Sequence, residues 1–595
     1  MAKQKLVLIV SAVCVLLLIV GFVGLNWNPP IADDTTGTST NTESPSSSAP
    51  DDLASENEVP ANTDDNNSGG DYVWSDSDVS EITLNKNSIA VDNKQVATVD
   101  GTTVTITSAG TYRVSGTLDD GQLIVDTDDE EAVTLILNGV TISSASNSPL
   151  YVAQAEETVI VLADGTENYL TDTAYNQDNA TLLSKDDLTI RGDGTLTVKG
   201  NVNDAIRSND GLVIESGTIK VTSIDDGIRG KDFIVVKGGY VTINSVGDGL
   251  KSDNEEEADK GYITIEAGTI DVTSTQGDAI TAQTDLHITD GTFTLTSGGG
   301  ADSMLADSIS TKGLKSALSI TIDGGTFSIH SSDDAIHSND IIVINGGTFD
   351  IASGDDGIHA DISVEINNGN LDVTKSYEGV ESAVVTINGG YLKIYSSDDG
   401  INLVDATEST STWGPAQGGF GRPGQGGDMM SQNCYLYVNG GFVFIESDGD
   451  GVDSNGYIEM ANGFLIINGP LSNADAAIDY GGGSFTITGG TLVAVGSAGM
   501  AQAPSASSTQ YYANLRFGST QYADTLVNVQ TDSGEDVLTF CPTKTYQSLV
   551  FSTPELATGS YTVYVGGSST GTPNNGLYED GTYSGGTAYG NFTIS

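Results

Sequence analysis

The chain has 595 residues and a formal charge of −59 at pH 7. Its acidity comes from a shortage of cations, 22 Lys and Arg against 81 Asp and Glu, while charged residues make up only 17% of the whole. Such a chain repels phosphate, which excludes non-specific nucleic-acid binding, and three cysteines in this length exclude a disulfide framework.

Lys3 and Lys5 precede an apolar run from Leu6 to Leu25. About 20 apolar residues span a bilayer as a helix, and lysines before the run with acids after it keep the N-terminus in the cytoplasm. The run is longer than most signal-peptide cores, and no clear small-residue cleavage site follows. Residues 1–30 therefore read as an uncleaved transmembrane anchor, with a cleaved signal as the alternative. Either way the bulk of the chain is expected to be extracellular: at the cell surface, touching the membrane through this helix only, if the anchor is kept, and secreted if it is cleaved. Residues 31–75 are Ser, Thr, Asn, Asp and Pro with almost no large apolar residue, the composition of a disordered linker.

Residues 76–186 carry alternating strands separated by Asp/Gly turns, such as 133–137 and 159–162. From 187 to 502 the pattern becomes a strict cycle. One cycle reads Leu212-Val213-Ile214, a turn at Gly217, Ile219-Lys220-Val221, then Asp225-Asp226-Gly227-Ile228. Three short strands and three turns per cycle predict one coil of a parallel β-helix; a propeller needs about 40 residues per repeat. About twelve cycles, stacked at roughly 4.8 Å, give a rod of roughly 60 Å. Insertions interrupt the period near 255–259, 297–308 and 405–433. Residues 503–595 lose it and are expected to cap the open end. Cys434 and Cys541 are free to pair or to remain thiols on spacing alone.

The phrase at the end of each cycle repeats an acid. Asp204, Asp226 and Asp248 follow one another at steps of 22 residues, and Asp278, Asp334, Asp356, Glu378, Asp399 and Asp450 continue the series. Stacked coils place these carboxylates in one column, about one strand spacing apart. Like charges so close raise one another's pKa or demand a cation, and a hard cation with oxygen ligands, Ca2+, is the simplest answer. The candidate ligands are Asp225, Asp226, Asp248, Asp253, Asn254, Asp278, Asp333, Asp334, Asp355, Asp356, Asp398, Asp399 and Asp450. The competing reading is that these acids only cap turns through backbone hydrogen bonds.

A second ladder lies three residues on. It reads Arg207, Arg229, Lys251, Thr281, Lys315, His337, His359, then Glu381, Asn402, Asp453 and Asp479. Strand alternation turns these residues outward and the branched residue before each inward. Arg207, Arg229, Lys251, Lys315, His337 and His359 form a cationic strip beside the acids, suited either to pairing with them or to holding a linear anionic or hydroxyl-rich polymer. Lys312 stands where one coil's acid belongs, an internal cation in place of a metal.

The phrases DDGIRGKD (225–232), GDGLKSDN (247–254), SDDAIHSND (332–340), GDDGIHAD (354–361), SDDGIN (397–402) and GDGVDSNG (449–456), with SAGTYRVSGTLDDGQLIVD (108–126), strongly resemble the exported β-helix carbohydrate-binding proteins of cellulolytic clostridia. The resemblance covers about residues 80–595. It implies a right-handed, single-stranded, polysaccharide-lyase-like parallel β-helix with bound Ca2+, and affinity for cellulose and polygalacturonate-like sugars. The motif is repeated on every coil, so no residue is singled out as catalytic. A non-enzymatic, cell-surface polysaccharide binder is the expected function. A Ca2+-dependent pectate-type lyase, with Arg229 or Lys251 as base, and a purely structural adhesin are the alternatives.

Overall fold

The computed structural model describes residues 76–173, 179–303, 305, 309–405 and 433–595. The expected anchor, the linker and nearly all of the largest insertion lie outside the described residues. Among the described residues no helix is long and apolar enough to cross a membrane. They are strands and turns, apart from one 3-10 turn at Asp76–Asp78.

Each strand of the repeat pairs in parallel with the equivalent strand of the next cycle, which makes a solenoid of three ladders. In the first, Asp187–Gly192 pairs with Gly211–Ile214, which pairs with Phe233–Val236. The second runs through Thr195–Gly200, Thr218–Ser223 and Tyr240–Ser245. Asp204–Ser208, Ile228–Gly230 and Leu250–Ser252 begin the third.

Register on the third ladder fixes the interior. Ile206, Ile228, Leu250, Ile280, Leu314, Ile336 and Ile358 stack in turn, and all are fully buried. Each such side chain contributes about 1.5–3 kcal/mol by leaving water. Inside the second ladder Phe293, Phe327 and Phe349 stack with centroids 4.5 Å apart. The turn after the first ladder needs glycine where φ is positive. Gly239 sits at φ +94, and a Cβ there would lie 2.8 Å from the Gly217 carbonyl oxygen. A ladder of side-chain amides runs along the outside: Asn345 donates to Asp323, Asn367 to Asn345, Asn388 to Asn367 and Asn439 to Asn388, at 2.8 to 2.9 Å.

At the C-terminal end, strand Tyr546–Ser552 pairs antiparallel with Thr491–Gly496, the last strand of the second ladder. The extension also lies against the flank of the late coils. Outward Phe442, Phe444, Ile466 and Val493 are buried with Phe540, Phe551 and Tyr561 in a second apolar core. Cys434 is buried and Cys541 half-buried, and no disulfide joins them.

Candidate functional site

The parallel register stacks the acid of each cycle above its predecessor. Asp204, Asp226, Asp278, Asp334 and Asp356 are buried, while Asp248, Asp399 and Asp450 are half-buried. One oxygen of each carboxylate serves the backbone of the next coil. The Asp226 N–H donates to Asp204 Oδ1 at 3.2 Å, Asp248 N–H to Asp226 Oδ1 at 2.9 Å and Asp278 N–H to Asp248 Oδ1 at 2.8 Å. Lys312, Asp356 and Glu378 continue the series onto Asp278, Asp334 and Asp356, and Asp450 donates to Asp399 at 2.6 Å. Turn capping is therefore what every Oδ1 in this column does.

The second oxygen meets the outward ladder. Lys251 Nζ bridges Asp226 Oδ2 at 3.1 Å and Asp248 Oδ2 at 2.8 Å. Lys315 reaches Asp278 at 3.0 Å, His337 Nδ1 reaches Asp334 at 2.8 Å, and His359 Nδ1 reaches Asp356 at 3.0 Å. Lys312, within the column itself, joins Asp333 and Asp334, both at 2.8 Å. Arg207 lies 3.7 Å from Asp204. Arg229 turns away to a two-pronged contact with Asp253. Asn254 donates to Asp232 at 2.6 Å, so Asp253 and Asn254 do not join the acid column. Of the first acids in the doubled phrases, Asp225 and Asp355 are exposed, and Asp333 and Asp398 half-buried.

Pairing sets the protonation. Burial depresses the Lys251 ammonium, but Asp248 and Asp226 outweigh it and hold the pKa above its ordinary value. Burial raises the Asp334 carboxyl, but His337, Lys312 and His359 outweigh it and hold it well below the usual carboxylate range. Burial disfavours the His359 imidazolium, yet Asp356, Asp334 and Glu381 bring its pKa up to about 9.

Past His359 the ladder offers no Arg, Lys or His among the described residues. Its members Glu381, Asn402 and Asp453 are register neighbours in turn. Burial, and then the Glu381 carboxyl, push Glu378 far above the usual range. Burial and then Asp453 bring Asp399 up to about 7. Burial, opposed by a backbone hydrogen bond and reinforced by Asp399, brings Asp450 up to about 8. Asn402 donates from Nδ2 to Glu378 at 2.8 Å and to Glu381 at 3.1 Å. Its Oδ1 is buried and accepts no hydrogen bond.

Oxygen-only sets suit a hard cation. Ligand oxygens of Asp204, Asp225 and Asp226 lie within 4.8 Å of one another, as do those of Asp333, Asp334 and Asp355. The second set already holds a cation, the Lys312 ammonium on Asp333 and Asp334. The first set, and the stretch with Asp399, Asp450 and the Asn402 carbonyl oxygen, fit Ca2+ in donor chemistry. A separate cleft of about 510 Å³, lined by Phe464, Asp536, Glu555, Tyr578 and Asp580 among others, shares no residue with the column.

Sequence reasoning missed the outer amide ladder, whose signal is an Asn recurring directly after Ile or Val at 345, 367, 388 and 439. It also missed Asn339, which contacts the outer nitrogen of His337; Asp361, one of the acids that recur a few residues after the phrase, contacts the outer nitrogen of His359.

Repeating parallel coils with a laddered, charge-paired outer face define an all-β solenoid able to present many equivalent subsites. Residues 100–357 match the family model described as carbohydrate-binding domain-containing protein. A carbohydrate-binding domain-containing protein from Acetivibrio thermocellus is 38% identical over 91 residues, which cover 15% of this chain and 32% of that relative. The polysaccharide lyase-like protein from C. thermocellum, solved as a gadolinium derivative, is 36% identical over 37% of this chain and 92% of that one, with a TM-score of 0.36. Over these stretches the chain is similar to carbohydrate-binding proteins.

Proposed function

We propose that this chain is a cell-surface polysaccharide-binding protein, folded as a right-handed parallel β-helix of about twelve coils. The apolar run Leu6 to Leu25 would serve as its membrane anchor. The observation that carries the reading is the family match over residues 100–357, a stretch that contains the ladder from Arg207 to His337. A rigid face with a repeated subsite suits a long polymer, cellulose or an acidic plant glycan such as polygalacturonate. Arg207, Arg229, Lys251, Lys315, His337 and His359 are half-exposed and supply the cationic strip.

Ca2+ belongs in this reading where the ladder leaves acids without a cation. Asp399, Asp450 and the Asn402 carbonyl oxygen would hold such an ion. When bound, the ion supplies positive charge that cancels carboxylate repulsion.

Binding is favoured over β-elimination because a base must be able to lose its proton. Asp226 and Asp248 keep Lys251 charged, and Asp253 does the same for Arg229. Retention of the full-length protein on cellulose and on polygalacturonate, with and without chelator, tests the proposal. Capture on at least one glycan supports it, and passage through both removes it.

A further inference from the structure

The two histidines of the ladder have a geometry that charge pairing alone does not require. His337 and His359 are register neighbours, with ring centroids 4.9 Å apart. His337 Nε2 lies 2.9 Å from Asn339 Oδ1. An amide oxygen only accepts, so Nε2 carries the hydrogen. His359 Nε2 likewise lies 3.3 Å from Asp361 Oδ1. Both Nδ1 atoms are thereby turned inward onto carboxylates. His337 Nδ1 is 2.8 Å from Asp334 Oδ2, and His359 Nδ1 is 3.0 Å from Asp356 Oδ2 and 3.7 Å from Glu381 Oε1. A lone pair facing a carboxylate oxygen needs a positive centre between them, a proton or a metal ion.

We propose that His337 and His359, with Asp334 and Asp356, form a site for a borderline divalent transition-metal ion of the Zn2+ class. Ligand atoms of Asp334, His337 and His359 lie within 4.8 Å of one another, as do those of Asp356, His359 and Glu381. Small side-chain rotations bring such atoms onto one ion. Imidazole nitrogen with carboxylate oxygen selects Zn2+, Co2+ or Ni2+ over Ca2+. An outer N–H tethered to an acceptor is the arrangement that orients metal-binding imidazoles. The floor is buried, with Asp334 3% and Asp356 6% exposed. The imidazoles stand at the mouth, their side chains 14% and 20% exposed, so an ion enters from solvent. Lys312 shares Asp334 Oδ2 and offsets one of the two charges on Asp333 and Asp334. Asp356 and Glu381 are then the charge that a dication meets. Because the ion displaces protons from nitrogen, affinity falls as pH falls.

The test titrates the full-length protein with Co2+ in excess Ca2+, which fills oxygen-only sites. The wild type gives the visible absorption of Co2+ bound to nitrogen in low coordination, and Zn2+ removes it. His337→Gln and His359→Gln each abolish it. Asn339→Ala weakens binding about 10–100-fold by releasing the tether. His287→Gln, beside Asp323 on the first ladder, leaves it unchanged. Circular dichroism checks each fold; should a glutamine variant not fold, the Asn339→Ala shift decides. Absence of Co2+ binding in the wild type, or binding indifferent to the histidine and Asn339 changes, overturns the proposal.

Discussion

His337 Nδ1 sits 2.8 Å from Asp334 Oδ2, three residues earlier in the chain. Lys251 stands in the same relation to Asp248, and His359 to Asp356. This spacing pairs Asp248, Asp334 and Asp356 from within their own coils, while Asp226 and Asp278 are met from the next coil by Lys251 and Lys315; both kinds of pairing stop where the ladder turns acidic.

Lys251→Met removes the one ammonium that bridges two carboxylates of the column. Asp226 is buried and Asp248 half-buried, so the loss should cost about 2–4 kcal/mol, below the full penalty of a deeply buried pair because the lysine side chain is 28% exposed. Urea denaturation measures it. Adding Asp226→Asn and Asp248→Asn should recover part of the loss, and an unchanged midpoint in the single variant would remove the bridge from the account.

The metal-free protein should lose stability as pH rises through neutrality. Asp399 and Asp450 titrate at about 7 and about 8 in the fold, against about 3.9 when unfolded. Between those values the folded state keeps protons that the unfolded state has lost, so stability falls with rising pH. His359, at about 9, acts in the same direction: its contribution is complete below about 6.5 and is lost as pH rises through the folded value. Asp334 acts oppositely, losing its contribution only as pH falls below the ordinary carboxylate range. Melting temperature in chelator should be higher at about pH 5.5 than at about pH 8.5, and the Asp399→Asn, Asp450→Asn double variant should flatten the difference.

Ca2+ should reverse that loss. Adding it at about pH 8 should raise the melting temperature, and Asp450→Asn with Asn402→Leu should reduce the gain. A melting temperature indifferent to Ca2+ and chelator would remove the ion from the late coils.

Phe327→Ala opens a cavity between Phe293 and Phe349 in the middle of the stack. The expected cost is about 3–5 kcal/mol, read from the denaturation midpoint.

Much of the repeat was legible in the sequence because its period and its alternation agree. Ile206, Ile228 and Leu250 could be placed inside and Arg207, Arg229 and Lys251 outside from spacing alone. Contacts between coils were harder to read. That Asp226 Oδ1 would serve the Asp248 N–H depends on vertical register, and the ladder residue that meets each acid depends on rotamers. Arg229 shows the limit, since it obeys the spacing and yet bonds to Asp253. The flank covered by the C-terminal extension left a trace that alternation alone does not explain: Phe442-Val443-Phe444-Ile445 is apolar on both faces because both faces are buried.

In the proposed function the outward ladder presents this protein to a polysaccharide. Equilibrium depletion of the full-length chain by insoluble cellulose and by Ca2+-gelled polygalacturonate measures it most directly, with Lys315→Gln and Arg207→Gln as comparison. The account predicts saturable depletion by at least one glycan, and for polygalacturonate a several-fold loss in the variants and with added salt. No depletion by either glycan would contradict it.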